Sequence, residues 1–102
     1  MNSENFERSA MEERLNKELH ALLLPTRNRL NLTKSAMARR YFMAKNTYWD
    51  LETDGEHGFG LLTAVMLLHD QDDPKQVLDE LYDNMMEALA EVTVLILSLI
   101  HI

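Results

Sequence analysis

The chain has 102 residues, 46% of them hydrophobic, with three glycines, two prolines and no cysteine. That length supports one small domain, the scarcity of Gly and Pro disfavours a turn-rich β architecture, and the lack of cysteine excludes disulfides and thiolate metal sites, leaving a reducing cytoplasm as the default compartment. The net charge of −7 divides into −2 over residues 1–18, +6 over 19–49 and −11 over 50–102, so any polyanion-binding surface must be confined to the middle block.

The N-terminal segment is charged from the start and has no apolar stretch of the kind a secretory signal needs. Its periodicity predicts a first helix over about 4–24, with Met11, Leu15, Leu19 and Leu22 on one face and Glu4/Arg8 and Glu13/Lys17 as i,i+4 pairs. Pro25 is expected to stop it, because the residue before a proline is pushed out of the α region. A second helix is predicted over about 28–50. Leu30, Met37, Tyr41, Ala44, Tyr48 and Leu51 form its stripe, which Phe42 and Trp49 widen. Residues 50–55 then read as a polar loop ending in an Asp54-Gly55 turn, with a short hairpin centred there as an option.

The third predicted helix, about 59–69, is apolar on nearly every side and is therefore expected in the middle of the domain. A fourth is predicted over about 74–96. Asp73 suits its N-cap and Pro74 its first position. Leu78, Met85 and Val92 repeat in sevens, as do Leu81, Ala88 and Leu95, while Tyr82, Leu89 and Ile96 widen the stripe. Such a face packs inside a bundle or against a second copy. No apolar run reaches the roughly 20 residues of a membrane span.

The fold expected is thus all-α, a small three- to four-helix bundle over residues 1–96. Residues 97–102, Leu-Ser-Leu-Ile-His-Ile, resemble the in-frame translation of a transposon-end sequencing adapter. They are set apart as a non-native tail, against the alternative of a native apolar helix end. That reading leaves open a domain truncated at its C-terminus, with a native frame that continues past Ile96.

Four patterns carry candidate chemistry. Met66-Leu-Leu-His-Asp70 resembles the His-Asp pair of HD-domain metal phosphohydrolases, which implies divalent metal at His69 and Asp70 and a metal-bound water as nucleophile. The continuation Gln71-Asp72-Asp73 departs from that family, and neither His57 nor His20 has the spacing of its first histidine. The simpler reading places His69 at a helix C-terminus and the aspartates in a solvated turn. Asp50-x-Glu52-x-Asp54-Gly55 resembles the opening of an EF-hand loop, but Leu61 stands where the bidentate Glu belongs, which favours a plain acidic surface. Glu80, Asp83 and Glu87 faintly resemble the magnesium-binding helices of all-α nucleotide pyrophosphohydrolases; Glu12, Glu13 or Glu18 would have to supply the opposing carboxylates, and a solvent-facing stripe is preferred.

The fourth pattern interleaves Arg27, Arg29, Lys34, Arg39, Arg40 and Lys45 with Tyr41, Phe42, Tyr48 and Trp49. Bases that neutralise phosphates beside aromatics that stack on nucleobases are the footprint of a nucleic-acid surface. Against it, the aromatics fall largely on the buried stripe, and the acidic last helix can pair with the basic one. The preferred function is a small acidic helical interaction or regulatory protein that binds another protein, with self-pairing through Leu78, Leu81, Met85, Leu89 and Val92 of the last helix. Nucleic-acid binding through 27–49 and a metal-dependent phosphohydrolase are the alternatives. No cofactor and no membrane are expected, and enzymatic activity is the less favoured class.

Overall fold

The computed structural model of the chain describes residues 3–54 and 58–100, and every regular element among them is helical. Five helices follow in order: α1 (Ser3–Leu30), α2 (Lys34–Arg40), α3 (Lys45–Thr53), α4 (Leu61–His69) and α5 (Pro74–Ile100). The all-α expectation holds. The expected count of three or four rises to five because the predicted second helix divides in two.

The two long helices, α1 and α5, share the largest contact in the molecule. They run antiparallel: Asn84 Nδ2 donates to Glu18 Oε1 at 3.1 Å, and farther along Arg14 lies 3.8 Å from Glu91. The core gathers at one end of this pair. Leu19 and Leu23 of α1 meet Met37, Ala38, Tyr41, Tyr48 and Leu51 of the α2–α3 region, Leu67 of α4 and Leu81 of α5. Burying each of these larger side chains contributes about 1.5–3 kcal/mol, so this cluster is the main source of stability.

Pro25 does not stop the first helix, and the expected end at Leu24 is corrected to Leu30. A proline inside a helix removes one backbone donor and crowds the preceding turn, at a cost of about 3 kcal/mol. What lies beyond it offsets that cost. Thr26 is fully buried and its hydroxyl accepts from Gln71 Nε2 at 2.9 Å, while Arg27 holds Glu52 through two nitrogens. The helix ends where Asn31 takes a φ of 56°. There Leu32 N–H donates to the Arg27 carbonyl at 3.2 Å and Asn31 N–H to the Asn28 carbonyl at 3.1 Å, the paired bonds of a Schellman cap.

The same cap recurs eleven residues on and breaks the expected helix 28–50. Phe42 has a φ of 56°, Met43 N–H donates to the Ala38 carbonyl at 3.0 Å, and Phe42 N–H donates to that of Arg39 at 3.2 Å. The turn lets Tyr41 and Tyr48 enter the core from two short helices. It also throws Phe42 out to 77% exposure, and Trp49 is exposed on α3, so the expected widening of the stripe by these two is corrected. At the start of α2, Thr33 caps by accepting from Ala36 N–H at 3.1 Å.

Two further expectations change. Residues 50–53 are the last turn of α3 and not a loop, with Asp54 as its C-cap; the hairpin centred on Asp54-Gly55 lies outside the described residues. Helix α4 does not sit in the middle. Only Leu67 is buried, because α4 rests on α1 and α5 and, among the described residues, packs closely against no other helix. The start of α5 is as expected: Asp73 Oδ1 accepts from Gln76 N–H at 3.1 Å, with Pro74 as the first helical residue. The helix continues past Ile96 to Ile100.

A left-handed φ costs an L-residue about 1 kcal/mol, and Phe42 contributes little burial in return. Phe42→Gly is therefore expected to raise the unfolding free energy by about 1 kcal/mol, read as a higher urea midpoint at unchanged slope. An unchanged or lower midpoint would show that the aromatic ring supports the turn.

Candidate functional site

The densest polar cluster lies at the turn between α4 and α5, against the C-terminal ends of α1 and α2. Asp70 is its centre. Arg40 grips the carboxylate through both Nε, at 2.8 Å, and a terminal nitrogen, and the Tyr41 hydroxyl donates to Oδ2 at 2.9 Å. Arg29 donates to the Asp70 backbone carbonyl and lies 3.5 Å from Asp72. One residue on, Gln71 Nε2 donates both to Thr26 and to the Leu67 carbonyl at 2.8 Å. The Arg40 hydrogen bonds, helped by Tyr41 and opposed by burial, hold the Asp70 carboxyl below its ordinary value of 3.8. Burial, followed by the bond to Asp70, pushes the Tyr41 hydroxyl well above its ordinary 10.0.

A second pair ties α1 to α3. Arg27 donates to Glu52 through Nε at 3.0 Å and a terminal nitrogen at 2.9 Å, and another Arg27 nitrogen reaches the Leu32 carbonyl at 3.3 Å. Both side chains are mostly buried. Burial alone would raise the Glu52 carboxyl, but the hydrogen bonds from Arg27, helped by the nearby Tyr48 hydroxyl, outweigh it and hold it below 4.5.

These contacts account for most of the basic segment. Arg27 serves Glu52, Arg29 and Arg40 serve the Asp70 turn, and Lys34 stacks on Trp49 with its ammonium 3.3 Å from the ring centroid. Arg39 and Lys45 project to solvent. Tyr41 and Tyr48 are buried, while Phe42 and Trp49 are exposed on different turns. Three of the six bases are thus paired with acids of the same molecule, one lies on an aromatic ring and two face solvent.

His69 is exposed and Asp70 is turned toward Arg40 and Tyr41. Among the described residues no three His, Asp or Glu side chains converge as a metal group would require; His57 lies outside them. Asp50 and Glu52 sit two residues apart on α3, a spacing that points them to different sides of a helix. Glu80, Asp83 and Glu87 face solvent.

Several large apolar side chains are exposed as well. On α4, Leu61 is 83% exposed, Leu62 58% and Val65 54%. On α5, Leu78 and Tyr82 are more than half exposed, Met85, Leu89 and Val92 are half-buried, and Leu81 is in the core, so the predicted interface stripe is split between packing and surface. An open groove of about 440 Å³ runs between α1 and α5, floored by Met11, Leu15, Met85 and Leu89 and rimmed by Glu7, Arg8 and Glu12. The exposed face of α4 is the feature that periodicity missed. Its signal is a helix with no polar side, a pattern that by itself predicts full burial.

Compared with known protein families, curated proteins and solved structures, the chain matches none. Among the described residues no helix is long and apolar enough to cross a membrane.

The depressed carboxyls of Asp70 and Glu52 set a pH dependence. A group whose folded pKa lies below its unfolded one contributes stability in full above the unfolded value, here about 4, and loses it as pH falls through the folded value. The chain is expected to lose stability progressively below pH 4. Asp70→Asn is expected to lower stability at pH 7 by about 2 kcal/mol and to flatten this acid limb, as followed by urea titrations at a series of pH values. An acid limb of undiminished slope in the variant would remove Asp70 as its source.

Proposed function

We propose that the chain is a small acidic helical protein that acts by binding another protein through the outer face of α4. The observation that carries this reading is the trio Leu61, Leu62 and Val65, each more than half exposed on a helix with no charged residue before His69. A contiguous apolar surface of this kind marks an interaction site, since covering each such side chain returns about 1.5–3 kcal/mol. The arrangement of the bases supports a protein partner over a nucleic acid, because Arg27, Arg29 and Arg40 already neutralise acids of the same molecule. The apolar face also favours a binding role over a hydrolytic one, for which the Asp70 carboxylate would have to leave Arg40 and Tyr41.

Affinity capture with the immobilised chain, compared with Leu61→Glu/Val65→Glu, tests it. The expected result is one defined protein held by the wild type and lost by about tenfold or more on the variant, with the far-UV circular dichroism unchanged. Equal capture by both would set the α4 face aside. Retention of nucleic acid that disappears in Arg39→Glu/Lys45→Glu would transfer the reading to the basic segment.

A further inference from the structure

We propose that a second, separate surface pairs two copies of the chain along the side of α5 formed by Leu78, Tyr82, Met85, Leu89 and Ile96. At 100° per residue these five fall within about 60° of arc, a stripe some 27 Å long at 1.5 Å per residue. No charged residue interrupts it. Leu78 and Tyr82 are more than half exposed, and the other three are half-buried. Met11 and Leu15 of α1 join Met85 and Leu89 to floor the adjacent groove, and none of its lining residues comes from α4.

Area argues for a second copy as the occupant. A compact chain of 11.9 kDa exposes about 6,000 Å². This one exposes 7097 Å², an excess of about 1,100 Å² over that scale. Its radius of gyration, 16.1 Å, likewise exceeds the roughly 13 Å of a compact domain of this length. A stable interface takes about 800 Å² from each partner, so the excess suffices for one such face. Charge permits the pairing as well. Glu80, Asp83 and Glu87 lie roughly opposite the stripe, so two copies of net charge −7 meet without apposing their acidic faces. Two α5 helices packed antiparallel about a two-fold axis, each backed by its own α1, make a four-helix arrangement closed at both ends.

Sedimentation velocity of the full chain from about 5 to 200 µM tests this. The expected result is a concentration-dependent species of twice 11.9 kDa. Leu78→Glu/Tyr82→Glu is expected to sediment as the monomer with unchanged helical circular dichroism. Tyr82→Lys alone, read the same way, decides the matter if the double variant loses its fold. Leu61→Glu/Val65→Glu and Leu97→Ser/Leu99→Ser are expected to remain dimeric, which separates this stripe from the α4 face and from the chain end. A wild type that is monomeric throughout, a stripe variant that still dimerises, or a dimer abolished by either control would overturn the proposal.

Discussion

The Asp70 carboxylate joins parts of the chain that apolar packing alone leaves loosely related. It stands at the C-cap of α4, three residues before the N-cap of α5, and it is gripped from α2 by Arg40 and by Tyr41. That single anchor decides where the α4–α5 turn sits and, through Tyr41, how the α2–α3 pair enters the core. Arg29 and Gln71 extend the tie to α1. A largely buried carboxylate is tolerated here because its oxygens are satisfied by a cation and a hydroxyl; stripped of them, it would cost several kcal/mol.

The charge blocks of the sequence find their explanation in this network. The +6 segment does not face outward as a unit, because Arg27, Arg29 and Arg40 are consumed by Glu52, Asp70 and Asp72 from the acidic half. Opposite blocks far apart in sequence become short ion pairs in space, and the surplus acid is left on the outer side of α5. The long α1 gains from the same arrangement. Beyond Pro25 it holds Thr26 and Arg27, whose partners on the α4–α5 turn and on α3 outweigh the proline.

What could be read in advance was what local chemistry decides. Asp73 and Pro74 mark the start of α5 by capping alone, and the 3.6-residue spacing of Met37, Tyr41, Tyr48 and Leu51 marks their burial whether or not the helix between them is continuous. Three features were not legible, each for a tertiary reason. The break at Phe42 carries no glycine, so nothing local announces a left-handed residue there. The passage of α1 through Pro25 depends on Gln71 and Glu52, which lie 45 and 25 residues from their partners. The exposure of Leu61, Leu62 and Val65 depends on how many elements are present to cover α4, which no helical pattern contains. Of the candidate site residues, the bases can be named from the sequence, but the acids that Arg27, Arg29 and Arg40 meet are visible only in three dimensions.

The molecule is polarised by this division of labour. At one end, ion pairs and buried tyrosines lock four helices around the Asp70 turn; toward the other, α1 and α5 run on as a pair with little beside them. A two-helix layer can bury only one stripe of each helix, and α5 has more apolar surface than one stripe holds. Leu81 sits in the core cluster and Ala88 is buried, while Leu78 and Tyr82, displaced around the same helix, stay more than half exposed. Adding polar ties at the Asp70 end does nothing for those residues, since hydrogen bonds fix position without covering area. The acidic stripe of Glu80, Asp83 and Glu87 lies on the other side of the helix, so the apolar and the charged surface stay apart along α5.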